Sequence, residues 1–116
     1  MVKSENNNQP ICKVTLFGTK RWLLNGKLHR ENGPAIEYAD GTKYWYVYDK
    51  LHRLDGPAVE WADGSRAWYL QGERHREDGP AIERANGYKE WYYHEKYINC
   101  SSQEEFKRLL KLQALW

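Results

Sequence analysis

Apolar and polar positions along most of this chain alternate in short runs rather than at helical spacing. From Ile11 to Phe17 the alternation is partial and predicts an entering strand. Beyond it come runs rich in β-branched and aromatic residues, such as Ala35-Ile36-Glu37-Tyr38 and Tyr44-Trp45-Tyr46-Val47. Asp40-Gly41, Asp63-Gly64 and Asn86-Gly87 punctuate them. Such pairs favour two-residue type I′ turns, whose central residues both need φ > 0. Run, turn and run together predict a β-hairpin. Pro34, Pro57 and Pro80 stand at strand starts, where a missing N–H is tolerated. Asn25-Gly26 predicts a return turn, and the matching positions in later units read as Asp49-Lys50 and Gln71-Gly72. The period changes only at the end. Phe106, Leu109, Leu110, Leu112 and Trp116 share an arc of roughly 160° on a helix, with Lys107, Arg108 and Lys111 opposite. Ser102 and Glu105 fit a capping box at its start.

The hairpins repeat at a fixed interval. Gly33, Gly56 and Gly79 each open Gly-Pro-Ala and lie 23 apart (56 − 33 and 79 − 56). His29, His52 and His75 each open His-Arg, and Trp22, Trp45, Trp68 and Trp91 keep the same interval. A constant period in this range marks a repeat architecture. Gly18 to Trp22 form a half unit, and the last unit decays after Tyr93. The expected fold is mainly β: a single-layer antiparallel meander of about eight strands, capped by one C-terminal amphipathic helix. Residues 1–10 read as a polar tail, 11–100 as the array and 101–116 as the helix. A terminal helix on an open array most simply closes its edge, with dimerisation or homo-oligomer formation through that helix as the other reading.

A two-residue loop at 40 and 41 would pair Ile36 with Trp45, and paired residues share a face. One face would then carry Ile36, Trp45, Val47 and their equivalents as the core. The other would carry Ala35, Glu37, Ala39 and Tyr46 with theirs.

The stretches Trp22–Ala35 (WLLNGKLHRENGPA), Trp45–Ala58 (WYVYDKLHRLDGPA) and Trp68–Ala81 (WYLQGERHREDGPA) resemble the MORN-repeat family. They are most similar to the MORN-variant repeats of bacteriophage and giant-virus proteins, whose helical ending the tail WYYHEKYINCSSQEEF also resembles. The resemblance implies a single-layer β-repeat sheet, a binding scaffold mostly for proteins, and a viral source. The family's standard unit has Gly soon after the His, whereas here Arg follows it directly, so lipid binding transfers poorly.

Three columns are candidates for binding. Arg30, Arg53 and Arg76 share a face with Glu37, Glu60 and Glu83, which predicts a register-setting Arg–Glu ladder or a surface that takes carboxylates and phosphates. Tyr46, Tyr69 and Tyr92 suit a protein interface, could stack a nucleotide base, or could be covered by the helix or a second copy. The His column predicts half-buried rings tying one unit to the next. It does not predict a metal, since His residues on successive hairpins would stand roughly 10 Å apart. Every notable His, Arg and Glu is repeated, whereas an active site is one asymmetric constellation. No catalytic residue and no cofactor are expected.

Composition narrows the partner. Among 116 residues are six Trp and nine Tyr against two Phe and one Met, so the apolar payload is amphipathic. A net charge of +2 argues against nucleic acid. No apolar run reaches the length of a membrane span, and the start, MVKSENNNQP, lacks a secretory apolar region. The expectation is a cytoplasmic protein with Cys12 and Cys100 as free thiols. Its expected function is a viral, non-enzymatic module that binds and inhibits a host protein such as a defence component. The alternatives are an oligomeric sponge for an anionic nucleotide and a structural virion component.

Overall fold

The computed structural model describes residues 8–114, with side chains to Gln113. The tail at residues 1–7 and the helix-face residue Trp116 lie outside the described residues. The protein is mainly β, with fourteen short antiparallel strands and one helix, Gln103–Ala114, among the described residues. Its dimensions of 58 × 32 × 17 Å are those of one sheet layer plus side chains. The strands are shorter and more numerous than the eight expected, in part because the long strands at Trp45 and Trp68 break there, while those at Trp22 and Trp91 run on. Lys43–Tyr44 and Tyr46–Val47, for example, belong to separate ladders, and the Trp45 N–H between them donates to the Ala58 carbonyl at 2.7 Å.

Two rows of structure result. In the first row, strands Ile36–Glu37, Lys43–Tyr44, Val59–Glu60, Arg66–Ala67, Ile82–Glu83 and Lys89–Tyr93 pair in succession. The second row is a series of hairpins, and their turns carry left-handed backbone at Asn25-Gly26, Tyr48-Asp49, Gln71-Gly72 and His94-Glu95. These are two-residue I′ loops. In the second unit the turn falls on Tyr48-Asp49 rather than on Asp49-Lys50: Tyr46 pairs with Leu51 and Val47 with Lys50. Position 48 follows Asn25 by the constant interval, so geometry is kept where turn-favouring composition is not.

The turn at Asp40-Gly41 corrects the expected facing. Tyr38 N–H donates to the Thr42 carbonyl at 2.9 Å, and Gly41 N–H donates to the Tyr38 carbonyl at 3.0 Å. Gly41 has φ 97°, while Asp40 is not in the left-handed region. Its carboxylate instead accepts the Thr42 N–H at 2.9 Å. The loop is thus three residues with a left-handed glycine, the G1-bulge hairpin. Ile36 pairs with Tyr44, not Trp45. A slip of one residue turns every side chain of the strand over. Trp45 therefore leaves the Ile36 face, and Tyr44 and Tyr46 join it. Val59 with Ala67 and Ile82 with Glu90 repeat the same register.

The core that follows is thin. Val59, Ala67, Ala81, Ile82 and Tyr92 are buried together, with Tyr44, Leu51, Trp61 and Tyr69 packed on them. The opposite face carries a row of alternating charge, Lys20, Glu37, Lys43, Glu60, Arg66, Glu83 and Lys89, each paired with the next across the sheet. Cross-strand opposite charges favour this register over its neighbours.

The terminal helix begins at the expected cap. Ser102 Oγ accepts the Glu105 N–H at 3.2 Å, and Glu105 reaches back to the Ser101 N–H at 2.9 Å. Glu104 and Glu105 stand in its first turn and Lys111 in its last, as the helix dipole favours. Phe106 is fully buried against Trp91 and Ile98, with Tyr93, Cys100, Leu109 and Leu110 around it. The helix therefore closes the last hairpin rather than the Tyr46 face. No helix among the described residues is long and apolar enough to cross a membrane.

Candidate functional site

The Arg and Glu columns meet as the sequence suggests. Arg30, Arg53 and Arg76 reach Glu37, Glu60 and Glu83 at 3.3, 3.2 and 3.0 Å. Each guanidinium also donates to the following Pro carbonyl, at 3.0–3.1 Å. Each lies over the indole that opens its unit: Arg30 over Trp22 at 3.7 Å, Arg53 over Trp45 at 3.9 Å and Arg76 over Trp68 at 3.7 Å. Gly33, Gly56 and Gly79 leave room for this. A Cβ at Gly79 would come within 2.6 Å of the Arg76 guanidinium carbon. The Arg side chains are thus held between indole and glycine backbone with their donors engaged. An incoming phosphate would have to displace a carboxylate that is already in place.

The His column ties units together. His29, His52 and His75 are each the acceptor, through Nδ1, of the N–H of the first residue in the next return turn: Tyr48 at 3.1 Å, Gln71 at 2.9 Å and His94 at 2.9 Å. An accepting Nδ1 leaves the ring proton on Nε2. At His75 that Nε2 lies 3.1 Å from Glu77, and at His29 it lies 3.5 Å from Glu31. Position 54, the equivalent for His52, is Leu. The other ends of the units are tied by Thr42 and Ser65, whose hydroxyls accept the N–H of Ala62 and Ala85 at 3.1 and 2.9 Å. Sequence reasoning missed this second tie, although Thr19, Thr42 and Ser65 keep the interval. Among the described residues no three His, Cys, Asp or Glu side chains converge on a metal position.

The Tyr column lies on the apolar face. The Tyr46 ring stacks 6.3 Å from Tyr44, and the Tyr44 ring meets Tyr38 edge-on at 5.7 Å. Tyr69 packs on the Val59–Ile82 cluster and Tyr92 is buried within it. Burial pushes all three phenols above their ordinary value; nearby phenols add to this at Tyr46, while Arg74 opposes it at Tyr69 and Tyr92. Arg74 lies over the Tyr92 ring at 4.3 Å and is paired with Glu95, whose carboxyl it holds below its usual range. Leu51, Trp61 and Tyr44 remain half-buried beside the column. No second layer from the described residues covers this side, and the result is a flat aromatic strip with Tyr hydroxyls on it.

On the charged face a groove opens at successive unit junctions. The groove floored by Trp45, Val47 and His52 has a volume of about 740 Å³. The next, floored by Trp68, Leu70 and His75, has about 490 Å³. A third, of about 420 Å³, contains Trp22, Leu24 and His29. The fourth position in this series is Trp91, Tyr93 and Ile98, where the helix sits. Comparison with known protein families, with curated proteins and with solved structures finds no match to this chain.

Proposed function

We propose that this chain is a non-enzymatic protein-binding module, and that it contacts its partner through the aromatic strip around Tyr46 and Tyr69. The observation that carries the reading is the strip itself: Tyr44, Tyr46, Leu51, Trp61 and Tyr69 are half-buried on one side of a one-layer sheet. Tyr and Trp are the residue types that dominate protein–protein contact energy, since their rings bury large area at little entropic cost. The sheet beneath them is tied at both ends of its units and presents them in a fixed arrangement.

The resemblance of the repeats to MORN-variant units of viral proteins supports a host-directed role, in which the module occupies and inhibits a host protein such as a defence component. The partner contact belongs to Tyr46 and Tyr69, while Tyr92 is buried in the cluster that supports them. Arg30, Arg53, Arg76 and the paired Glu residues hold the units in shape. A nucleotide-sequestering function draws less support, because those guanidiniums are engaged by Glu37, Glu60 and Glu83.

Affinity capture from host-cell lysate tests the proposal. The wild-type chain should retain one stoichiometric partner. Tyr46→Asp combined with Leu51→Asp should lose it while circular dichroism and the melting transition stay cooperative. Unchanged capture by that folded variant would move the contact off the strip.

A further inference from the structure

The grooves on the charged face repeat with the units, and one of them is occupied by the chain's own helix. Gln103 bridges two groups of the fourth groove. Its side-chain oxygen accepts the Trp91 indole N–H at 2.8 Å, and its amide donates to the Glu77 carbonyl at 2.8 Å. Phe106, one turn later, is fully buried against Trp91 and Ile98. The seat is therefore an indole N–H, a loop carbonyl 14 residues before it (91 − 77) and an apolar floor. One unit earlier the same groups are Trp68, Leu54 and the floor of Leu70 and His75, and all four line one open groove. The Trp68 indole N–H and the Leu54 carbonyl form no hydrogen bond among the described residues, and no buried side-chain donor among them is orphaned. Both groups are therefore available to a guest.

Leu54 gives a second reason to read this groove as a seat. It is 83 % exposed and stands on the rim shared by the Trp45 and Trp68 grooves. The equivalent positions are Glu31 and Glu77, each near its His Nε2. In this unit alone an exposed apolar side chain replaces the acid, at the cost of the His–Glu contact. Burial of one such side chain is worth roughly 1.5–3 kcal/mol.

We infer that the Trp68 groove receives an amphipathic helix of a partner protein, with a Gln bridging the Trp68 N–H and the Leu54 carbonyl and an apolar residue one turn later against Leu70. The guest differs from the chain's own helix in one respect. Position 99 is Asn and no guanidinium among the described residues stacks on Trp91, whereas Arg76 lies over the Trp68 ring at 3.7 Å and Arg66 at 5.4 Å. The guest's apolar residue therefore seats on Leu70, His75 and Leu54 rather than on the face of the indole. This surface lies on the opposite side of the sheet from the Tyr46 strip and does not depend on it.

The probe is a synthetic peptide of residues 101–116, titrated into the isotope-labelled full-length chain while indole N–H resonances are followed. Trp45→Phe, Trp68→Phe and Trp91→Phe assign the signals. The Trp68 indole should shift, and Leu54→Glu should weaken binding by about tenfold, as expected for loss of one buried apolar contact. A peptide carrying Gln103→Ala and Phe106→Ala should weaken it at least as much. No shift, a shift confined to Trp91 as the peptide displaces the resident helix, or equal binding by the doubly substituted peptide would each overturn the assignment. A Trp68 shift that tracks protein concentration without peptide would make a second copy of this chain the occupant and would overturn the partner assignment too.

Discussion

A Cβ at Gly79 would lie 2.6 Å from the guanidinium carbon of Arg76. The glycine of the recurring Gly-Pro-Ala is thus there for close approach, and Arg76 fills the space it leaves while stacked on Trp68 and bound to Glu83. Gly79→Ala should push the guanidinium off the indole. The expected loss is about 1–3 kcal/mol, the scale of a displaced cation–π contact plus one charge-assisted hydrogen bond. Urea unfolding should show a lower midpoint, and Trp emission of the folded state should change. An unaltered midpoint would mean the guanidinium is not held.

His75 is the acceptor for the His94 N–H at a buried position. His75→Ala leaves that N–H without a partner and should cost about 1–3 kcal/mol. Nitrogen shifts of the wild-type ring should report a protonated Nε2 and an unprotonated Nδ1. The opposite tautomer would exclude the inter-unit tie.

Gln71 adopts φ 49° as the first residue of a type I′ turn with Gly72, and its side chain forms no hydrogen bond among the described residues. Gln71→Asn places the favoured Asn-Gly pair there. The expected gain is a few tenths to about 1 kcal/mol, read as a raised thermal midpoint.

Phe106 joins helix to sheet. Phe106→Ala should cost about 3–5 kcal/mol, release the helix and expose Trp91 to quencher. If Trp91 stayed protected, other contacts such as Leu109 and Gln103 would be sufficient to hold the helix.

Alkaline pH should weaken the fold. Burial raises the phenols of Tyr46, Tyr69 and Tyr92 above the ordinary value of 10.0. The folded state then holds its protons where the unfolded chain releases them. The contribution is intact below pH 10 and is lost as pH rises through the folded values. Phenolate absorbance should show these residues titrating late, and the melting temperature should begin to fall above pH 10.

Much of this was legible beforehand because it is local or periodic. The interval of 23, the I′ turn at Asn25-Gly26, the Arg–Glu pairing and the capped helix follow from residue types at short spacing. The facing of Trp45 and Tyr46 was not. Asp-Gly serves two hairpins: as the two central residues of a I′ turn, or with Gly alone left-handed in a three-residue loop. The Asp40 carboxylate on the Thr42 N–H belongs to the second, and that choice moved the Tyr column from the charged face to the apolar one.

The sequence by itself determined the units, their number and the Arg–Glu pairing within each, since these depend on residue types at fixed short spacings in the chain. Only the tertiary structure decided which side the tyrosines face and which groove the helix fills. A register change of one residue inverts a strand without altering its composition, and the helix fills the groove at Trp91, where Asn99 stands in place of the stacked Arg.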